Sequence, residues 1–151
     1  MPDNQAHAPQ YGAASIHRLL FAAVLRFKIG MSEASSSSLL VMGLCAQWCG
    51  TCRNYQPLFD SVRSQFAGRA RFLWVDIEDH ADCLGSIEVE NFPTLLMACP
   101  EEIRFFGVLL PHRNILEKTI EHALHGPLVS VSDPEVLALA HWAHSLARSE
   151  P

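Results

Sequence analysis

Trp48-Cys49-Gly50-Thr51-Cys52 puts two thiols at i and i+3, after an apolar run and before a helical pattern. A thiol at a helix N-terminus faces unpaired N–H groups and the positive end of the helix dipole. That setting favours the thiolate, the form active in disulfide exchange. A second thiol at i+3 lies on the same helical face. From there it can attack a mixed disulfide and release the bound substrate. The spacing alone also allows half of a zinc site, or chance. Cys49-x-x-Cys52 with His80-x-x-Cys83 would offer four ligands of the right type for zinc. Phe92-Pro93-Thr94, directly before an apolar strand, has no role in a zinc site. Proline has no N–H to give to a strand ladder. A cis X–Pro bond at the strand entry fits this position. It would leave the backbone at Phe92 free to pair with an extended substrate.

The other reactive side chains read more plainly. Cys45 and Cys99 fall on apolar strands and are expected as inert core thiols, since free cysteine packs as a small hydrophobe. Cys83 is expected to be exposed at the start of a helix, open to oxidation but incidental to the chemistry. His122 with His125, and His141 with His144, are spaced i, i+3 and read as solvated helix faces. The run Glu78-Asp79-His80-Ala81-Asp82 suits a helix N-terminus.

The elements that must hold these groups follow from periodicity. Leu39–Cys45 is a continuous apolar run, as expected of a buried parallel strand. Cys52–Phe66 reads as a helix with Tyr55, Leu58, Phe59, Val62 and Phe66 inward, kinked at Pro57. Arg71–Ile77 is a strand and Ala81–Val89 a short helix. Thr94–Cys99 and Ile103–Val108 are strands joined by a turn at Pro100-Glu101-Glu102. Arg113–His125 is a helix closed by Gly126-Pro127, with Ile115, Leu116, Thr119, Ile120, Ala123 and Leu124 inward. Asp133 caps a last helix, Pro134–Arg148, whose stripe is Val136, Leu139, Ala140, Ala143 and Leu146. That helix must cover the sheet or pair with another copy. Alternating strands and helices imply an α/β sandwich with helices on both faces, and the tight last turn implies an antiparallel edge hairpin.

Three segments are expected. Residues 1–38 form an extension, disordered to about residue 14, helical over Ser15–Lys28 and Ser-rich over Glu33–Ser38. Residues 39–126 form the main domain, and residues 127–151 a helical C-terminal extension. Translation from Met31 is an alternative reading of the first segment. Leu19–Leu25 is short for a signal peptide and runs into Arg26 and Lys28, so a cytoplasmic location is expected.

With 151 residues, 49% of them apolar, the chain can build a core without disulfide staples. A net charge of −5 and the lack of a basic block argue against nucleic acid as the partner. No apolar run is long enough to span a membrane, and five scattered cysteines do not form a secreted disulfide framework.

From Leu39 to His125 the chain resembles the thioredoxin superfamily. The resemblance rests on Trp48-Cys49-Gly50-Thr51-Cys52, Pro57, the strand end Val75-Asp76-Ile77-Glu78, Phe92-Pro93-Thr94 and Gly107. It implies a three-layer α/β sandwich around a mixed sheet of about four strands, here with extra N- and C-terminal helices. It implies Cys49 as nucleophile, Cys52 as resolving thiol and a Cys49–Cys52 disulfide in the oxidised form. Pro93 would be the cis-proline, and Trp48, Gly50, Thr51 and Phe92 would border the substrate groove. The implied activity is reduction of protein disulfides, recharged by an external reductase or thiol donor, with no metal or organic cofactor. The alternative is an adaptor or chaperone-like binding module with little redox turnover. Three positions depart from the family pattern. Thr51 stands where proline is usual, Gly43 replaces a buried aspartate and Trp74 replaces its lysine partner. Loss of that carboxylate removes a candidate general base for the resolving step.

Overall fold

Apolar residues on the first strand alternate between two faces, and each face meets different helices. The computed structural model describes residues 39–128 and 131–149. The expectations for residues 1–38, including the helix Ser15–Lys28, lie outside the described residues. The elements are β1 (Leu40–Cys45), α1 (Gly50–Gln65), β2 (Arg71–Asp76), α2 (Ala81–Leu84), β3 (Thr94–Cys99), β4 (Glu102–Val108), α3 (Arg113–His125) and α4 (Pro134–Ser149). The sheet order is β2-β1-β3-β4. β1 and β2 run parallel, while β1–β3 and β3–β4 are antiparallel. This is the expected mixed four-stranded sheet with helices on both faces.

One core lies between the sheet and α1 with α3. Leu39, Val41, Phe72, Leu95 and Met97 meet Tyr55, Phe59, Val62, Leu116, Ile120 and Ala123 there. The other lies on the opposite face, where Leu40, Met42, Leu44, Leu73 and Leu96 meet Val136, Leu139, Ala140 and Ala143 of α4. The period of two along β1 produces both cores from one strand. The last helix therefore covers the sheet. Its N-terminus is capped by Asp133, whose Oδ1 accepts from the backbone N–H of Glu135 at 2.8 Å.

Local departures from expectation have local causes. α1 starts at Gly50, two residues early, because Cys49 already takes the extended N-cap conformation (φ −74°, ψ 115°). It runs on through Pro57 to Gln65. α2 stops at Leu84 rather than Val89, where Gly85 adopts φ +60°, a left-handed value that ends the helical path. Among the described residues, no helix is long and apolar enough to cross a membrane.

Candidate active site

β1 delivers the chain to the carboxyl edge of the sheet, and α1 leaves from it. The loop Ala46–Cys49 joins them and is held from both sides. The Cys49 N–H donates to the Ala46 carbonyl at 3.0 Å, and the Arg53 guanidinium donates to the Gln47 carbonyl at 2.9 Å. Asp76, at the end of β2, accepts the Gln47 N–H on one carboxylate oxygen at 2.7 Å and the Glu78 N–H on the other at 2.9 Å. This carboxylate is a brace between two loops, with both oxygens occupied.

Cys49 is a free thiol, partly exposed at the N-cap of α1. Gly50 and Thr51 are exposed beside it, and Cys52 is buried. The Trp48 ring is 63% exposed, and its Nε1 donates to the Glu78 carboxylate at 3.1 Å. It forms a T-shaped pair with the Phe92 ring, at a centroid distance of 5.7 Å and an interplanar angle of 88°. That contact brings the Phe92–Pro93 loop beside the Cys49 loop. The Phe92–Pro93 peptide bond is cis. Thr94 Oγ1 donates to the Asn91 carbonyl at 2.7 Å and closes the turn around the proline. Trp48, Cys49, Phe92 and Pro93, distant in sequence, thus share one edge of the molecule.

The disulfide is not where it was expected. Cys52 is bonded to Cys45, with their Cα atoms 5.9 Å apart. Cys45, expected from the sequence as an inert core thiol, is instead a disulfide partner. The implied Cys49–Cys52 disulfide is accordingly not the one present. The cause is parity. Cys45 shares a β1 face with Val41, which packs against α1. Cys52 is the first of the buried α1 residues, ahead of Tyr55, Phe59 and Val62. Counting by two from Val41 to Cys45 was the available signal.

Behind the site, Gly43 pairs with Trp74 across the β1–β2 ladder. A Cβ on Gly43 would lie 3.0 Å from Trp74 Cε3. The aspartate and lysine positions of the family are thus filled by a glycine and the indole that needs its space. Trp74 packs on Phe59 at 5.1 Å and Tyr55 at 6.2 Å between centroids. The Tyr55 hydroxyl is buried with no hydrogen-bond partner among the described residues, and burial pushes its ionisation far above the usual phenol range.

The candidate zinc set is dispersed into other contacts. The His80 ring meets Trp142 in a tilted contact, 5.3 Å between centroids, and Cys83 Sγ donates to the His80 carbonyl at 2.8 Å. Cys83 is half-buried rather than exposed, and burial, more than the nearby Asp82 charge, pushes its thiol up. Among the described residues no three His, Cys, Asp or Glu side chains are grouped to hold a metal ion. His144 also departs from expectation: it is buried, not solvated, and its Nε2 lies 3.1 Å from the Ala98 carbonyl.

This edge, built by a strand–loop–helix with a thiol at the cap and a cis-proline loop beside it, defines a thioredoxin-type fold. The chain belongs to the thioredoxin family, whose model, described as Thioredoxin, matches residues 26–108. It is 34% identical over 91 residues to thioredoxin H2-1 of Oryza sativa, a stretch covering 59% of this chain and 63% of that protein. It is 34% identical over 62 residues to human thioredoxin, covering 41% of this chain and 58% of that protein. The match thus spans less than two thirds of either relative's length. Among solved structures, Fasciola hepatica thioredoxin superposes with a TM-score of 0.52 at 24% identity, covering 68% of this chain and 93% of the other. The germline-specific thioredoxin Deadhead of Drosophila melanogaster gives 0.51 at 16% identity, covering 66% and 91%. These two likenesses concern the fold.

Proposed function

We propose that the protein is a cytoplasmic thiol–disulfide oxidoreductase that reduces disulfides in other proteins. The observation that carries this reading is the division of labour in one helical turn. Cys49 is a free, partly exposed thiol at the N-cap of α1, and Cys52 is buried one turn behind it. As a thiolate, Cys49 attacks a substrate disulfide, breaks its S–S bond and releases one substrate sulfur. Trp48, Gly50, Thr51, Phe92 and Pro93 border the groove in which the substrate backbone lies. In the fully reduced protein, with the Cys45–Cys52 bond opened, Cys52 as thiolate then attacks Cys49 Sγ and expels the second substrate sulfur. The two protons given up by Cys49 and Cys52 end on the substrate thiols. An external dithiol reductant returns both electrons. This cycle calls on no metal or organic cofactor.

Trapping tests it. Cys52→Ser is expected to accumulate covalent complexes with disulfide-bearing proteins, and Cys49→Ser to form none. Absence of complexes from both variants would sink the exchange mechanism. One observation favours a second reading, an adaptor or chaperone-like module: Trp48, Val108 and Leu110 are large apolar side chains more than half exposed. Insulin reduction in the presence of dithiothreitol separates the two. Turnover lost in Cys49→Ser supports the oxidoreductase, and wild-type turnover no faster than dithiothreitol alone supports the module.

A further inference from the structure

The geometry points to Cys45 as a third redox cysteine, which draws the disulfide from Cys49–Cys52 into the core as Cys45–Cys52 and sets Cys49 free again. The inference rests on the exchange reading above. Cys45 closes β1 and Cys52 opens the buried face of α1, so strand and helix meet sulfur to sulfur. Their Cα separation of 5.9 Å falls in the usual range for disulfides. The Cys45 backbone is fixed by the ladder to Asp76 and by the Ile77 N–H on its carbonyl at 2.9 Å. Both sulfurs belong to residues no more than 2% exposed, whereas Cys49 is partly exposed.

The step is an isomerisation with no net redox change. After substrate release the chain holds a Cys49–Cys52 disulfide and a Cys45 thiol. Cys45, as thiolate, attacks Cys52 Sγ. The Cys45–Cys52 bond forms, the Cys49–Cys52 bond breaks, and Cys49 leaves as thiolate, taking up the proton that Cys45 gave up. The product consumes both buried sulfurs as an apolar disulfide and leaves the ionisable sulfur at the solvent-facing helix terminus. Burial disfavours the thiolate, so this distribution keeps the exchange-active form of sulfur where solvent reaches it.

Two consequences follow. The oxidised protein still carries a nucleophile but no resolving thiol, so Cys49 forms mixed disulfides that last until an external thiol releases them. The buried disulfide is reached by a dithiol reductant through Cys49, by the reverse attack of Cys49 on Cys52. Cys49→Ser is therefore expected to slow its reduction by dithiothreitol at least tenfold.

The test is a disulfide map of the full-length chain. Reduced protein is oxidised with one equivalent of diamide, quenched in acid and alkylated with N-ethylmaleimide in denaturant. It is then reduced and treated with iodoacetamide. Fragmentation mass spectrometry assigns the label on each cysteine. The expected majority product carries N-ethylmaleimide on Cys49 and carbamidomethyl on Cys45 and Cys52. A majority with N-ethylmaleimide on Cys45 and carbamidomethyl on Cys49 and Cys52 overturns the relay. Cys45→Val, apolar and similar in size, is expected to place its one disulfide at Cys49–Cys52. If it fails to fold, the wild-type map decides alone. Insulin reduction by an untreated portion of the same wild-type preparation keeps the two failures apart. Turnover with a Cys49–Cys52 map refutes the relay alone, and no turnover refutes the exchange reading whatever the map.

Discussion

Gly43 and Trp74 show how a change at one residue is intelligible only through another. The indole lies against Phe59 and Tyr55 and has little room to withdraw from a new Cβ at 3.0 Å. Gly43→Ala is expected to cost about 1–3 kcal/mol through overpacking. In a Trp74→Leu background the same change should cost clearly less, as measured by a double-mutant cycle in urea. Equal costs in both backgrounds would refute the coupling. Asp76 at the end of β2 braces the loops, each oxygen accepting one backbone N–H. Tyr55 carries a second residue-scale expectation. Replacing an unpaired buried hydroxyl by hydrogen removes a polar group that costs free energy to bury. Tyr55→Phe should therefore leave the unfolding free energy from urea titration unchanged or raise it, and a loss of about 1 kcal/mol or more would show that the hydroxyl has a favourable role.

The helix α4 is the element that closes the second face of the sheet. Leu139 is fully buried there between β-strand side chains and its own helix neighbours. Leu139→Ala is expected to lose about 2–5 kcal/mol, the usual cost of a large-to-small core change. A loss near zero in chemical denaturation would mean that α4 detaches freely. His144 makes the same packing pH-dependent. Burial holds it below the ordinary histidine range, against the opposing effect of its hydrogen bond to the Ala98 carbonyl. Arg148, Arg71 and His141 add to the lowering. The neutral ring is thus the form that fits the fold, with Nε2–H donating to the carbonyl. Because the unfolded chain binds the proton more readily, stability is full above about pH 6.5, the unfolded value, and falls as pH drops through the folded value. His144→Leu should flatten the decline in urea midpoint between pH 7.5 and pH 5. An unchanged slope would refute the assignment.

At the scale of the molecule, the cap of α1, the end of β1 and the Phe92–Pro93 loop converge on one sheet edge, while α4 lies on the face away from α1 and α3. The candidate active-site edge and the stabilising helix are therefore separable in their effects. Leu139→Ala should lower stability while leaving the disulfide map of the folded protein as in wild type. The direction of electron flow is a whole-molecule property as well. For a reductase, equilibration with glutathione should give a potential in the thioredoxin range, about −270 mV, while a value near about −120 mV would mark an oxidant.

Much of this architecture was readable from local pattern. The apolar run at Leu39–Cys45, the i, i+3, i+7 inward face of α1 and the stripe on α4 each report a short-range period, and such periods are fixed by backbone geometry alone. The proline before β3 was legible for the same reason, since its meaning depends on residue type and immediate context. What the sequence by itself determined was therefore the order of strands and helices among the described residues, and the family. Only the tertiary structure decided which sulfur Cys52 meets, that His144 is buried, and that Gly43 exists for Trp74. Each of these depends on which faces of two elements are pressed together, a relation between residues far apart in the chain. Cys45 and Cys52 are the sharpest case: parity along β1 and the phase of α1 are both local, but their meeting is a property of packing.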